Sequence, residues 1–177
     1  MSPAPRASAV TAADVEAWLA ELGLEPLERA DREGVASWDL ILDGTRRAAL
    51  RVTLILDPTL ALICWAHYAP PINDSFRKSF RKLLRWNDEL PFAKFAVAED
   101  ERPILTAEVP VVGIDRDAVG ALIARVLAIA DLVHEPTMAL ISELSRAQTK
   151  VAAEEADPAG VALLERYADA FSELAES

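Results

Sequence analysis

The sequence predicts an α+β fold built on antiparallel strands. Between residues 36 and 68, and again after residue 91, apolar and polar residues alternate with a period of two, which is typical of strands. Other segments place apolar residues three and four apart, which is typical of helices. The strands follow one another in runs instead of alternating singly with helices. We therefore expect an antiparallel sheet and not a doubly wound parallel one.

The first predicted element is a helix that follows Thr11. Thr11 is a preferred N-cap residue, and Gly23 can supply the left-handed residue that often follows a helix. The apolar stripe between them consists of Val15, Trp18, Leu19 and Leu22. The residues before this helix, 1–10, are interpreted as a flexible tail.

Three strands are predicted next, as a meander over 36–42, 50–56 and 60–68, with turn signals between them. The third strand is apolar on both of its faces. One face carries Leu60, Leu62, Cys64 and Tyr68, and the other carries Ala61, Ile63, Trp65 and His67. Apolar residues on both faces predict that both are covered, one by the core and the other by a helix, a second subunit or a partner.

The stretch FRKSFRKLLRWNDELPF, which begins at residue 76, predicts a basic amphipathic helix that Asp74 can cap. The expected buried stripe is Phe76, Phe80, Leu83 and Leu84. The expected exposed face is Lys78, Arg81, Lys82 and Arg85. Because Pro91 disfavours helical geometry at the preceding residue, the helix should end near Asn87.

Two more strands and a long helix follow. FAKFAVAED and RPILTAEVPV predict strands joined by a charged turn, and Asp115 can cap the helix. Along this helix, a stripe of small residues consists of Gly120, Ala124 and Ala128. This stripe fits close packing within the subunit and association between subunits equally well.

Two further helices are predicted to begin at Pro136 and at Asp157-Pro158. The resulting division has a tail at 1–10, an α+β domain at 11–149 and an acidic helical extension at 150–177.

Composition excludes several classes of protein. The formal net charge is −11, so binding to phosphate backbones or anionic lipid would need a local basic patch. A single cysteine, Cys64, excludes an internal disulfide and suits a reducing cytoplasm, where we expect the protein. The most apolar stretch is interrupted by Arg51 and by Asp57-Pro58, well short of the roughly 20 residues that a membrane-spanning helix needs.

No catalytic motif is present in the sequence. The glycines form neither a phosphate loop nor a dinucleotide fingerprint, and there is no nucleophile elbow and no zinc-protease helix. Cys64 and His67 lie three apart on a strand, which puts them on opposite faces. We therefore predict no enzyme activity, no catalytic residues, no metal site and no cofactor.

The basic helix stands out in an acidic chain. Its cations could neutralise the acidic C-terminal segment, within one chain or between two. They could also bind nucleic acid through Lys78, Arg81, Lys82 and Arg85, although the footprint is small. Phe76 and Phe80 belong to the expected buried stripe, so they are not available to stack on bases.

The region from residue 35 to 145 resembles the YbjN-like family of bacterial proteins, which are described as sensory transduction regulators. The resemblance depends on these residues: Asn87, Leu90, Pro91, Phe92, Phe95, Leu105, Glu108, Pro110, Gly113, Asp131 and Pro136. Ala93 departs from the glycine expected after the phenylalanine. The family is similar in fold to type III secretion chaperones, which implies helices on one side of a twisted antiparallel sheet and a homodimer that binds extended protein segments.

These observations predict a non-enzymatic, dimeric, chaperone-like or adaptor protein, with a place in bacterial regulation or stress response. The predicted partner-binding face carries Ile63, Trp65 and His67, and a charged rim of Arg77, Arg81 and Arg85 steers an acidic segment of a client protein. The alternative is a regulator that binds nucleic acid through Lys78, Arg81, Lys82 and Arg85.

Overall fold

The computed structural model describes residues 10–69, 77–135 and 159–175 of the chain. The strands in these ranges are β1 (Glu28–Arg32), β2 (Val35–Leu42), β3 (Leu50–Asp57), β4 (Ala61–His67), β5 (Lys94–Val97) and β6 (Pro103–Pro110). The helices in these ranges include α1 (Ala12–Glu21), α2 (Arg77–Glu89), α3 (Arg116–Leu132) and α4 (Ala159–Arg166), followed by a 3₁₀ segment, Ala168–Ala175. The cap expected at Asp74, the helix expected to begin at Pro136 and the helix start expected at Asp157-Pro158 lie outside the described residues.

The strands form one antiparallel sheet in the order β1-β2-β3-β4-β6-β5. The predicted α+β class with an antiparallel sheet is confirmed. The predicted three-strand meander is in fact four-stranded, because β1 precedes it. Glu33 and Gly34, both with positive φ, make the two-residue turn between β1 and β2 that matches the twist of a hairpin.

These four helices pack on one side of the sheet, as predicted. The core-facing residues of the central strands include Leu54 and Leu62, which are fully buried in one apolar cluster with Leu19 of α1, Leu127 of α3 and Leu163 of α4. Burying this much apolar surface is the main source of stability for a domain of this size.

Three predicted helix boundaries are confirmed by their caps. The Thr11 side chain accepts a hydrogen bond from the backbone N–H of Asp14, and the Asp14 carboxylate accepts one from the N–H of Thr11, which makes a full capping box. Gly23 follows α1 with a φ of 75°. Asp115 caps α3 by accepting from the N–H of Ala118 at 2.8 Å.

The basic helix α2 differs from its prediction in two respects. It ends at Glu89 and not near Asn87, because Pro91 restricts only the residue before it and the helix stops just short of that residue. Its buried stripe also consists of Leu83, Trp86 and, just past the helix, Leu90, whereas Leu84 is 67% exposed. Trp86 lies three residues after Leu83, so it takes the core position that Leu84 was expected to share.

A buried carboxylate ties α3 to the loop between β2 and β3. Both Asp131 carboxylate oxygens accept backbone N–H bonds from this loop, from Thr45 at 2.5 Å, Arg46 at 3.1 Å and Arg47 at 3.0 Å. A β-carbon on Gly44 would lie 2.4 Å from a carboxylate oxygen, so only glycine fits beside it. The Arg47 side chain continues the connection, since it lies over the Tyr68 ring and donates to the Tyr68 carbonyl. This carboxylate is therefore a structural link.

Helix α4 docks against α3 and against the same loop. A β-carbon on Gly160 would lie 2.2 Å from the carbonyl oxygen of Asp43, and one on Gly120 would meet the Tyr167 ring at 2.4 Å. The Tyr167 hydroxyl donates to Asp117 at 3.0 Å. The stripe of small residues on α3 thus packs within the subunit at Gly120 and at the fully buried Ala124.

Candidate protein-binding face of the sheet

The side of the sheet opposite the helices carries an apolar cluster, which we call the open-face cluster: Ile55, Ile63 and Trp65. Strand pairing sets their positions, because Ile55 lies directly opposite Ile63, and Trp65 follows on the same face of β4. All three side chains are half-buried, whereas their neighbours Leu62, Cys64 and Ala66 on the same strand are fully buried. Among the described residues, no helix covers the open-face cluster.

Two further isoleucines extend the same face. Ile41 lies at the end of β2 and Ile104 lies opposite His67 on β6. Both are buried, yet neither belongs to the apolar cluster under the helices. Arg51 lies opposite Ile41 and His67 lies opposite Ile104, so polar residues separate these two isoleucines along that row of the sheet.

A polar clasp borders the open-face cluster and consists of Asp39, Arg51, Thr53 and His67. The Thr53 hydroxyl donates to Asp39 at 2.6 Å, and His67 Nε2 lies 3.3 Å from the same hydroxyl oxygen. Thr53 has one proton and gives it to the carboxylate, so Nε2 must be the donor to Thr53 and Nδ1 must carry the lone pair. Nδ1 is enclosed and has no hydrogen-bond partner.

The charges of the clasp follow from its contacts. Burial lowers the pKa of His67, and the Arg51 charge lowers it further, so the imidazole is held neutral. Burial raises the pKa of Asp39, but hydrogen bonds from Thr53 and Arg51 lower it by more. Because His67 donates to Thr53 and does not accept from it, this arrangement cannot activate the hydroxyl as a nucleophile.

Cys64 and His67 lie on opposite faces of β4, as predicted. Cys64 is fully buried on the helix side, and burial raises the pKa of its thiol well above the usual range. In the part of the chain that the structure describes, no group of three or more histidine, cysteine, aspartate or glutamate side chains could hold a metal ion.

The structure separates the basic helix from the open face. Trp86 of α2 lies 5.4 Å from Phe95, whose ring lies 5.0 Å from that of Tyr68, and these contacts belong to the helix side of the sheet. The structure therefore brings Ile63, Trp65 and His67 together, whereas α2, with its basic residues, packs on the other side.

The described cations of α2 are unevenly available. Arg81 and Arg85 are exposed, while Lys82 is half-buried and lies over the Trp86 ring at 5.1 Å. The ion pairs among the described residues include none of these three cations, and the side chains of Arg77 and Lys78 lie outside the description. Arg81 and Arg85 remain as the described part of the predicted charged rim.

Three functional or structural residues were not predicted as such. Ile55 could have been found from its position two residues after Thr53, on the face that pairs with Ile63. Arg125 is a lone cation in the apolar stretch of α3, a signal that the sequence does contain. Asp131 was noted only as a position of the family, and no local pattern reveals that its partners are backbone amides more than 80 residues away.

The fold and the site define a class of protein. It is an α+β domain whose sheet has helices on one side and an accessible apolar cluster on the other. The polar clasp beside that cluster does not activate its hydroxyl as a nucleophile. Within that class, the chain belongs to the YbjN family, described as "Putative bacterial sensory transduction regulator", whose family model matches residues 11–137. A comparison with curated proteins found no match. No helix among the described residues is long and apolar enough to cross a membrane.

Proposed function

We propose that this protein is a non-enzymatic regulator that binds an extended segment of another protein on the open face of its sheet, in the manner of a chaperone or adaptor. The observation that carries the proposal is the open-face cluster itself. Ile55, Ile63 and Trp65 are adjacent, apolar and half-buried on a face without a described helix. Contiguous apolar surface of this kind marks an interaction site.

The composition of the face fits a protein partner. Trp65 supplies a large, rigid contact area, and tryptophan is among the residues that dominate binding energy at protein interfaces. The polar clasp at the margin has its carboxylate paired with Arg51 and Thr53, so covering it leaves no lone charge buried. Threonine, glutamate and histidine around the cluster can form the polar rim that such interfaces have.

The predicted homodimer is part of this proposal, as is a role in regulation or stress response. The family's description as a regulator supports the regulatory role, whereas the homodimer is what the resemblance to type III secretion chaperones implies. Arg81 and Arg85, on the opposite side of the sheet, would contribute to the attraction of an acidic segment over distance and not through contact on the open face.

The experiment is capture of partners by the tagged full chain from native lysate, with and without nuclease. The matched variants are Trp65→Ala in the open-face cluster and Leu27→Ala, an exposed leucine outside it. We expect discrete proteins to stay bound after nuclease, to be lost with Trp65→Ala and to be kept with Leu27→Ala. Trp65→Ala should keep the fold, which circular dichroism checks; unfolding would mean that Trp65 belongs to the core.

Nucleic acid is the competing partner, through Lys78, Arg81, Lys82 and Arg85. It would be identified if the bound proteins disappeared with nuclease, if nucleic acid co-purified, and if the affinity fell steeply with salt and with neutralisation of those four residues. That result would contradict the proposed function.

A further inference from the structure

The turn after α2 exposes an aromatic residue in an unusual backbone conformation. Leu90 and Ala93 are both buried, and between them Phe92 is 67% exposed with a φ of 63°. A turn with proline at its second position and positive φ at its third normally carries glycine or asparagine there. An aromatic residue held in this conformation and turned outward is a candidate for a role in binding.

Directly beneath this ring lies an arginine that forms no ion pair with any acid of the described ranges. The Arg125 guanidinium of α3 is 4.6 Å from the centre of the Phe92 ring, and its Nε is enclosed without a hydrogen-bond acceptor. Burial lowers the pKa of Arg125. Among the described residues, no carboxylate forms an ion pair with it. A carboxylate that binds a half-buried cation of this kind stabilises it through charge-assisted hydrogen bonds.

The residues of α3 on either side of Arg125 are apolar and accessible. Ala121 lies four residues before Arg125, Ala128 lies three residues after it, and Leu132 lies four residues after Ala128. With this spacing, all four residues lie on one face of the helix. The alanines are half-buried, and Leu132 is 42% exposed. Together with Phe92 these residues form what we call the Phe92–Arg125 surface, an apolar strip with one cation at its centre.

We propose that the Phe92–Arg125 surface binds an acidic segment of a partner protein, one that places a carboxylate on the Arg125 guanidinium and an apolar side chain against Phe92 and Leu132. This site lies on the helix side of the sheet, opposite the open-face cluster, and is independent of it. Arginine with an adjacent aromatic is the composition of an interface hot spot.

The charge of the Phe92–Arg125 surface disfavours two other occupants, a second copy of the chain and a phosphate polymer. A second copy of the chain packing the same strip across a two-fold axis would bring Arg125 towards its own symmetry mate, and the strip offers no carboxylate to either. Phosphate polymers need several cations to bind, whereas the strip has one and the whole chain carries a net charge of −11.

The test uses the full chain and two fluorescein-labelled peptide pools, followed by fluorescence anisotropy. One pool alternates Asp or Glu with Leu or Phe, and the other replaces the acids by Asn or Gln. We expect saturable binding of the acidic pool, at least about tenfold tighter than that of the neutral pool. Arg125→Gln and Phe92→Ala should each weaken it at least about tenfold.

The matched control is Arg32→Gln, which makes the same change of charge at the exposed end of β1 and should alter the affinity less than about twofold. Arg125→Lys keeps the charge but loses the planar pair of donors, so it should fall between wild type and Arg125→Gln. It also serves if Arg125→Gln does not fold. The Nε–Hε resonance of Arg125 in an NMR spectrum, assigned by its loss in Arg125→Lys, should shift with the acidic pool alone.

Several results would overturn the proposal. They are absence of saturable binding by the acidic pool, equal affinity for both pools, and equal losses in Arg125→Gln and Arg32→Gln. Light scattering adds one more: if Phe92→Ala converts a dimer to a monomer, a second copy occupies the surface and the proposal is wrong.

Discussion

The two faces of β4 differ in burial although both are largely apolar. Leu62, Cys64 and Ala66 point to the helices and are fully buried, while the alternate residues Ile63, Trp65 and His67 are only half-buried. Both sets are largely apolar, so composition alone does not distinguish them. The difference arises because α1, α3 and α4 all contribute to the same cluster on one side. Apolar character on the other side is therefore available for a partner.

Polar groups also differ between the two sides. On the helix side, Asp131 is buried and has backbone N–H donors for both of its oxygens. On the open side, the polar clasp leaves His67 Nδ1 without a partner. The carboxylate that ties the helix side to a loop is thus satisfied by backbone donors, whereas the two enclosed nitrogens without a partner, His67 Nδ1 on the open side and Arg125 Nε on α3, each lie beside one of the two proposed binding surfaces.

The largest expected effect compares neighbours on β4. Leu62→Ala should lower the free energy of unfolding by about 3 kcal/mol, since it leaves a cavity in the core. Ile63→Ala should cost about 1 kcal/mol, because its side chain is already partly in water. Urea unfolding measures both. Equal losses would show that Ile63 is covered as fully as Leu62 and that the two faces do not differ.

The link through Asp131 gives the next effect. Asp131→Ala leaves three loop N–H groups without their acceptor and should cost about 2 to 3 kcal/mol in unfolding free energy. Asp131→Asn keeps one acceptor and should cost less. The control is Asp88→Ala on the exposed side of α2, expected to stay within about 0.5 kcal/mol. A loss of unfolding free energy with Asp131→Ala no larger than that of this control would show that Asp131 does not stabilise the fold by linking α3 to the loop.

Two glycines test the docking of α4. Gly160→Ala forces a methyl group against the backbone carbonyl of Asp43, which cannot move alone, so the unfolding free energy should fall by about 2 kcal/mol. Gly120→Ala meets only the outer end of the Tyr167 ring, which can swing away. Since alanine also favours the helix, the change should stay within about 1 kcal/mol. The reverse order of the two losses would contradict this packing.

The smallest expected effect is a pH dependence on the open side. Because the pKa of His67 is lowered from its ordinary value of 6.5, the unfolded chain takes up a proton below that pH while the folded chain does not. Stability should therefore fall as the pH drops from 6.5 to the lowered folded value, by less than about 1 kcal/mol because solvent screens a half-exposed group. His67→Gln should remove this slope. Titration of Asp39 does not contribute to this slope, since its pKa is lowered from 3.8 and its protonation falls at lower pH.

Much of the fold could be predicted from the sequence because it depends on local patterns. The period of two located β2, β3 and β4, and single side chains at Thr11 and Asp115 located helix starts. β1 could not be predicted this way, since its five residues are mostly charged and exposed and it is a strand only because β2 offers it an edge. Leu84 was misplaced because neighbouring leucines compete for one helical stripe, and packing against Phe95 selected Trp86 instead.

The site was predictable in part. Ile63, Trp65 and His67 share a face because of the alternation along β4. Whether that face was covered depended on where the helices pack, which is a tertiary property. The Phe92–Arg125 surface joins a turn to a helix more than 30 residues later, and no sequence period reports such a contact.

The most direct test of the open face as the partner surface is hydroxyl-radical footprinting of the full chain, alone and with its captured partner. Trp65 and Phe92 are the two reporters, one on each side of the sheet. The account predicts that Trp65 is oxidised several-fold more slowly in the complex. Unchanged oxidation of Trp65 in a complex that remains intact would contradict it, and protection of Phe92 alone would place the partner on the helix side.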